Sequence, residues 1–274
     1  MELIAVKTEI IRSGENICKA ITNQLTDNDI VVISSKAIAT SEGRVTNLKK
    51  ITPSNIAKNY SEKCGRSPEF CETVLNEIEF RNGKVVGVCP GAMFTSLKPN
   101  GMNGEILCAN AGMDESNIEK GYAVGWPEDP VRSASVLRHA LRHARTDAPD
   151  GASSARVLST AQHDIKTEIP NIAVIISDSC CRPRRWGVTA FALAVAGIDP
   201  LDDQAGKKDL FGRELRITKE ATADQIATAA NILMGNADQC VPAVIVRDHG
   251  IELSEYEGWV SGVSAGEDLF NGIF

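Results

Sequence analysis

Short apolar runs alternate with amphipathic stretches along the chain, and this rhythm is typical of an α/β or mixed α+β protein. The apolar runs predict strands at residues 3–6, 29–34, 84–88, 105–109, 172–176 and 243–246. The amphipathic stretches predict helices, some of them with a proline close to the first turn. Helices are expected over residues 15–25, from 52–54 onward, and over 67–78, 129–145 and 223–234. The stretch 90–104, rich in glycine, proline and asparagine, is predicted to be a connection.

A polar segment, residues 146–167, separates an earlier group of elements from a later one. Its proline, glycine and adjacent serines predict an exposed loop or a boundary between two parts. We therefore expect a single unit over residues 1–274, with possible division into subdomains at residues 1–150 and 168–274. The sequence contains no internal repeat.

The composition mainly excludes classes of function and of structure. With 36 Asp and Glu against 29 Lys and Arg, and a net charge of −7, the chain has no basic tract for a phosphate backbone. Its 8 cysteines form no Cys-x-x-Cys pair, so we predict reduced thiols rather than a zinc ribbon or a disulfide framework. The sequence contains no run of about 18 apolar residues, so no membrane-spanning helix is predicted. We expect a soluble, cytoplasmic protein with no nucleic-acid or membrane partner.

The positions richest in chemistry are two strand ends. Residues 110–117 follow one predicted strand, and Asp178 with Ser179 follows the apolar run 172–176. Carboxylate and hydroxyl oxygens at the end of a buried strand are suited to hard cations and phosphates. Two such ends in one chain predict one shared site.

A cluster of arginines follows the second strand end. Each guanidinium of Arg182, Arg184 and Arg185 offers a rigid pair of donors, so the cluster predicts a clamp for a phosphate or a carboxylate. An exposed turn with surface ion pairs is an equally good interpretation. The sequence has no Walker-type loop, dinucleotide-binding glycine motif or serine-hydrolase elbow, so any nucleotide site is built differently.

Two other pairs carry weaker hypotheses. His139 and His143 are spaced to share a metal ion on one helix face, but the interleaved arginines favour a solvated face. The adjacent Cys180 and Cys181 raise a redox hypothesis, against which adjacent cysteines form only a strained disulfide. Neither pair is assigned a role.

Several segments in collinear order carry a family resemblance along most of the chain. They are residues 109–117, 178–187, 209–215 and 223–246, with the shorter elements 41–44 and 233–235 in their expected places. In these segments the chain resembles the F420-0:γ-glutamyl ligase family. The resemblance implies a ligase that joins the amine of L-glutamate to a carboxylate of F420-0, a deazaflavin precursor. It also implies GTP as co-substrate, an acyl-phosphate intermediate, the family's fold, and an intertwined homodimer with its site in a groove.

The resemblance further implies roles for individual residues. Metal binding, by Mg²⁺ or Mn²⁺ with K⁺ as a further candidate, is expected at Asp114, Asp178, Ser179 and Asn236. Contact with GTP, or with ATP in its place, is expected at Thr8, Glu9, Ile10, Ile11, Ser35, Lys36, Thr40, Asn117, Asn236, Ala237, Asp238 and Gln239. A catalytic, anion-binding role for Arg182 and Arg185 is our own inference from the arginine cluster.

Ser179 stands where the family usually has a threonine and keeps the hydroxyl, but two other positions lose a charged group of the family's pattern. Thr40 stands where the family has a nucleotide-binding lysine, and Asn236 stands where it has an acidic metal ligand. An amide oxygen still binds a cation, but without negative charge it binds more weakly. Lys36, four residues before Thr40, is placed to supply the lost cation. The departures leave open two alternatives: a folate-type γ-glutamyl ligase of the same family, or a catalytically silent nucleotide-binding homologue.

Overall fold

The structure of the protein, a computed structural model, describes residues 1–144, 170–264 and 266–272. The elements in chain order are β1 (Glu2–Val6), α1 (Cys18–Thr22), β2 (Ile30–Ser34), α2 (Ser35–Ser41), β3 (Val45–Asn47), α3 (Asn55–Cys64), α4 (Pro68–Phe80), β4 (Lys84–Cys89), β5 (Ala92–Leu97), β6 (Ile106–Ala109), β7 (Tyr122–Val124), α5 (Pro130–His143), β8 (Ala173–Cys181), β9 (Val188–Ala196), β10 (Asp202–Asp203), β11 (Lys219–Glu220), α6 (Thr222–Met234), β12 (Ala243–Arg247) and β13 (Glu257–Trp259). This content confirms the predicted mixed α/β class.

Six strands form a mixed sheet in the order β1-β12-β2-β8-β9-β13. Only β2 and β8 pair in parallel, and every other neighbouring pair in this sheet is antiparallel. As a result β1, β2 and β8 run in the same direction, and their carboxyl ends share one edge of the sheet. β2 and β12 are apolar at nearly every position because both faces of the sheet are covered.

A hydrophobic cluster covers each face of this sheet. One face carries α6, whose apolar side packs against alternate residues of β2, β8 and β12. The other face carries α5 and a larger cluster that extends to α3, α4 and the three-stranded antiparallel sheet β4-β5-β6. Alternation along β8 places Asp178 on this second face, in line with Val174 and Ile176.

Three helix starts were predicted correctly. The side chains of Ser54, Ser67 and Asp129 each accept a backbone N–H from the first helical turn, at 3.0 to 3.1 Å. Such a cap satisfies a donor that has no partner within the helix. Pro68 and Pro130 occupy the first helical position, where a missing N–H has no cost.

Several predicted boundaries were wrong. The supposed connection at 90–104 contains β5, whose backbone pairs with both β4 and β6. The helix expected over 15–25 is confined to Cys18–Thr22. The strand after residue 172 does not end at Asp178 but continues to Cys181, because β9 pairs with it along its whole length. The sequence did not predict α2, β3, β7 and β9.

The six-stranded sheet takes β1 and β2 from residues 1–150 and its other strands from 168–274. The division into two subdomains stays a prediction, and the predicted loop 146–167 lies within the range 145–169, outside the described residues. The homodimer also stays a prediction. Over residues 1–144, 170–264 and 266–272, no helix has the length and apolarity needed to cross a bilayer.

Candidate active site

The carboxyl ends of β1, β2 and β8 bring distant segments together. After β1, the backbone N–H of Thr8 donates to the carbonyl of Cys240 at 3.1 Å. At the end of β2, the N–H of Ser34 donates to the carbonyl of Pro242 at 2.9 Å. The residues at one edge of the sheet therefore include three groups of predicted nucleotide contacts: 8–11, 35–36 and 236–239.

Asp114 reaches this edge from the segment that follows β6. Its backbone pairs with Val124 of β7 through two hydrogen bonds of 2.9 Å. The ammonium of Lys36, in the first turn of α2, donates to Oδ2 of Asp114 at 2.6 Å and to two oxygens of Ser116 at 2.9 Å. The backbone N–H groups of Glu115 and Ser116 donate to Oδ1. Burial raises the pKa of Asp114, but the charge of Lys36 and these hydrogen bonds outweigh burial and hold the pKa below its usual value.

Asp178 enters the same region from β8. Its Oδ2 accepts a hydrogen bond from the indole Nε1 of Trp126 at 2.5 Å, and its Oδ1 accepts one from the backbone N–H of Ser179 at 2.8 Å. Burial raises the pKa of this carboxyl to about 6, although both hydrogen bonds and the charge of Lys36 act in the opposite direction. The carboxylate is therefore held in a poorly solvated position.

The two aspartates share one electrostatic environment. The charge of Asp114 raises the pKa of Asp178, and Lys36 lowers the pKa of both carboxyls. Asp114 pairs through its backbone with Val124, two residues before Trp126, and the indole of Trp126 donates to Asp178. The two predicted strand ends and the ammonium of Lys36 are therefore close neighbours. The structure thus brings together the two aspartates that the sequence singled out.

Sequence reasoning missed a buried network behind Asp178. Arg44 donates to the carbonyl of Trp126 at 2.6 Å and to Glu77 at 2.7 Å. Arg81 donates to Glu77 at 2.5 Å and to the carbonyl of Pro127 at 2.8 Å, and its guanidinium lies 5.3 Å from the indole ring centroid. Burial is the main cause that lowers the pKa of Arg81, against the opposing charge of Glu77. Glu77 lies in the last turn of α4 and Arg81 directly follows that helix, a spacing of four residues that could have revealed the pair.

The predicted arginine clamp lies in the exposed turn between β8 and β9. Arg182 contacts Thr189 through its Nε at 3.4 Å, and the backbone N–H of Arg185 donates to the carbonyl of Arg182 at 3.2 Å. Burial raises the pKa of Cys180 and of Asp224, and the charge of Arg182 acts against both rises. The catalytic role of Arg182 and Arg185 stays a prediction.

Other predicted residues are distributed around this edge. Ser179 is adjacent to Asp178 in β8, so alternation turns its hydroxyl to the opposite face of the sheet. Thr40 is buried in α2, one turn after Lys36, whereas Asn117 is exposed with a left-handed φ of 53°. Asn236 lies in an exposed turn after α6. Their roles in metal or nucleotide binding stay predictions.

Comparison with known proteins identifies the family. The family profile described as F420-0:Gamma-glutamyl ligase matches residues 5–248. The chain belongs to the F420-0:γ-glutamyl ligase family. This membership confirms the family and the enzyme class predicted from the sequence, a ligase that forms C–N bonds.

Relatives of this ligase family match nearly end to end. The chain is 35% identical to a coenzyme F420:L-glutamate ligase of Methanopyrus kandleri, over 90% of this chain and 86% of that protein. It is 34% identical to the protein of the same name from Methanocaldococcus jannaschii, over 94% and 92% of the two chains. The corresponding protein of Methanococcus maripaludis strain S2 is 31% identical over 98% and 97%.

Proposed function

We propose that this protein is a metal- and GTP-dependent γ-glutamyl ligase that adds L-glutamate to F420-0 or to a related acceptor. In the first step, a carboxylate oxygen of the acceptor attacks the γ-phosphorus of GTP, which forms an acyl phosphate and releases GDP. In the second step, the amine of glutamate attacks the acyl carbon and forms the amide, and inorganic phosphate and a proton leave. The names of the relatives support the glutamate and F420 parts of this proposal.

The observation that carries the proposal is the convergence of Asp114, Asp178 and Lys36 at the sheet edge. A carboxylate that attacks a triphosphate must overcome repulsion between two anions. A site that works on this reaction therefore needs carboxylates that hold cations, together with a positive group for phosphate. The three side chains provide both in one place.

A hard divalent cation fits the oxygens of this site. Asp178 takes part in no ion pair within the described residues, and burial is the main cause of its raised pKa. The described residues also contain no ready cluster of three or more His, Cys, Asp or Glu side chains for a metal. Asp114 and Asp178 would accordingly hold the ion with further oxygens from water or substrate. When bound, Mg²⁺ or Mn²⁺ neutralises the phosphate charge.

The chain's own residues have separate tasks in this proposal. Lys36 moves its ammonium from Asp114 to a phosphate oxygen and so replaces the cation that Thr40 lacks. The segment Thr8–Ile11 and the turn at 236–239 border the nucleotide at the neighbouring strand ends. Arg182 and Arg185 bind an anionic group of the acceptor or of glutamate.

The homodimer belongs to the same proposal. Four large apolar side chains are almost fully exposed in the β8–β9 turn and in the segment that connects β10 and β11: Trp186, Leu210, Phe211 and Ile217. Apolar side chains this exposed are suited to burial against a second copy. Light scattering on the purified protein is expected to give twice the chain mass of 29.4 kDa. A cytoplasmic location is also proposed, because all eight cysteines are free thiols.

The test is phosphate release from GTP, and separately from ATP, with L-glutamate and Mg²⁺ or Mn²⁺. Each assay is run with F420-0 and with a folate. We expect release that requires glutamate and F420-0 and that is lost in Asp178→Asn. Asp224→Asn is the matched control, since Asp224 is a partly buried aspartate of α6 that accepts the N–H of Ala192 on the other face of the sheet.

The other outcomes each point elsewhere. Release with the folate alone would replace F420-0 by a folate-type acceptor. Metal-dependent GTP binding without release under any combination would overturn the proposal in favour of a catalytically silent homologue. Release that persists in Asp178→Asn would remove the proposed metal site from the reaction.

A further inference from the structure

Trp126 is fully buried, and its indole contacts Asp178, the candidate metal ligand. Its indole Nε1–H donates to Oδ2 of Asp178 at 2.5 Å, while the backbone N–H of Ser179 donates to Oδ1 at 2.8 Å. Each oxygen of the carboxylate thus receives one donor from the chain. A carboxylate oxygen has two lone pairs, so one on each atom is left for another partner.

The indole itself is fixed from several sides. Arg44 donates to the carbonyl of Trp126, and Arg81 donates to the carbonyl of Pro127 and lies over the ring. The ring of Phe191, on β9, meets the indole edge to face with centroids 6.3 Å apart. A Cβ on Gly112 would lie 2.4 Å from two indole atoms, so the turn at Gly112 touches the ring as well. The direction of the Nε1–H bond is therefore set by packing.

We propose that Trp126 is the positioning residue of Asp178: its indole fixes the carboxylate in the orientation that receives the divalent cation. The inference rests on the proposed function, in which Asp178 binds that cation. It adds to that function a fully buried residue from a different part of the chain, which acts through its hydrogen bond to Asp178.

The need of a buried indole N–H for a hydrogen-bond acceptor does not account for this arrangement. A backbone carbonyl or a neutral hydroxyl would serve the indole N–H without placing a charge in a poorly solvated region. A carboxylate in this poorly solvated place costs free energy. The segment that presents the indole is held in turn by Arg44 and Arg81, which both pair with the buried Glu77. Partners of metal ligands are typically arranged in this way, and their loss typically weakens metal binding by about 10- to 100-fold.

The first test compares two tryptophan-to-phenylalanine variants. Trp126→Phe keeps an aromatic ring but removes the N–H, whereas Trp259→Phe makes the same change at another buried tryptophan, on β13. Mn²⁺ dissociation constants are measured by electron paramagnetic resonance on the full chain. We expect the Mn²⁺ dissociation constant to rise about 10-fold in Trp126→Phe and to stay unchanged in Trp259→Phe. An unchanged constant in both variants overturns the inference.

The second test observes Trp126 and Asp178 in the wild-type protein, so it remains valid if Trp126→Phe does not fold. The wild-type chain, labelled with ¹⁵N in its 3 tryptophans, gives three indole N–H resonances, two of which are assigned by Trp186→Phe and Trp259→Phe. We expect the remaining resonance, that of Trp126, to move on addition of Mg²⁺ with the midpoint of metal binding. A resonance that stays fixed while Mg²⁺ binds refutes the role of the indole.

The variant Asp178→Asn separates this inference from the proposed function. Loss of Mn²⁺ binding in Asp178→Asn, with normal binding in Trp126→Phe, would leave the metal site in place and remove only the role of Trp126. Normal Mn²⁺ binding in Asp178→Asn would remove the metal site itself.

Discussion

At the scale of single residues, Asp178 combines a charge with poor solvation. Its pKa is about 6 in the folded chain, mainly because of burial, against about 3.9 for an unfolded aspartate. Between these pH values the folded chain binds more protons than the unfolded chain. The free energy of unfolding therefore falls as the pH rises from about 4 to 6, and the loss is complete above that window.

Asp178→Asn is expected to stabilise the metal-free protein while it removes activity. The amide keeps an oxygen for the indole of Trp126 but carries no charge, so the free energy of unfolding at pH 8 should rise by about 1–2 kcal/mol. Urea denaturation in EDTA measures this change, and the gain should shrink toward pH 5. The exposed Asp203→Asn serves as control and should have little effect. A variant less stable than the wild type at pH 8 would contradict the electrostatic argument.

Lys36→Met should change metal and nucleotide binding in opposite directions. The ammonium of Lys36 donates to Oδ2 of Asp114, and its positive charge repels a metal ion that approaches this oxygen. Its removal should tighten Mn²⁺ binding in the absence of nucleotide several-fold, and it should weaken GTP binding because a phosphate partner is lost. Calorimetry with each ligand separately distinguishes the two effects. A parallel loss of both affinities would show that Lys36 only maintains the shape of the site.

At the scale of elements, the turn between β6 and the segment of Asp114 decides how the site is presented. Three consecutive residues, Asn110, Ala111 and Gly112, have positive φ angles of 53°, 53° and 77°. The side chain of Asn110 accepts the backbone N–H of Met93, which ties the turn to β5. The left-handed turn directs the chain past Trp126 and onto the sheet edge.

Gly112→Ala should destabilise the protein more than Gly121→Ala. Both glycines have positive φ, so both substitutions strain the backbone, but only at residue 112 would the new Cβ meet the indole of Trp126. We expect a loss of about 1 kcal/mol for Gly121→Ala and about 2–4 kcal/mol for Gly112→Ala. Thermal denaturation of both variants checks the difference. Equal losses would mean that the indole moves aside freely.

The sequence predicted elements well where local chemistry decides them. β1, β2, α4 and α5 follow from apolar runs and from side-chain caps that act within one helical turn. β9 was missed because its alanines have low strand propensity, and it forms through pairing with β8. β5 was missed for a similar reason, since its turn-rich flanks obscure a strand that two neighbours stabilise.

The candidate site was predictable only in part. Asp114 and Asp178 each stand out beside an apolar run, and the family resemblance singles out both. Trp126 carries no local signal of this kind, because its contacts depend on how the segment after β7 packs against β8 and β9. The bond between Trp126 and Asp178 joins residues 52 positions apart in the chain. Only the folded arrangement reveals it.

At the scale of the whole molecule, the six-stranded sheet interleaves the two halves of the chain. β2 lies between β12 and β8, and β1 lies beside β12, so strands from residues 1–150 alternate with strands from 168–274. Neither half contains a contiguous set of neighbours that includes β2. The two predicted subdomains therefore share one core.

Fragments 1–150 and 168–274 are expected to be unfolded when each is produced alone and to assemble when produced together. Each fragment alone leaves the edges of β2 or β12 without their hydrogen-bonding partners. Circular dichroism of the separate fragments and co-purification of a tagged pair provide the measurement. A cooperative unfolding transition in either fragment alone would instead establish it as an independent subdomain.

The pairing of β1 with β12 also constrains how the protein is made. Glu2 pairs with Arg247, and the guanidinium of Arg247 binds the buried carboxylate of Asp29 at 2.7 Å. A ribosome releases β1 and β2 well before β12, so this side of the sheet closes only after most of the segment between them has been made. Until then the nascent chain holds two apolar strands without the partner that lies between them. We therefore expect β1 and β2 to be exposed to chaperones during synthesis until β12 is available.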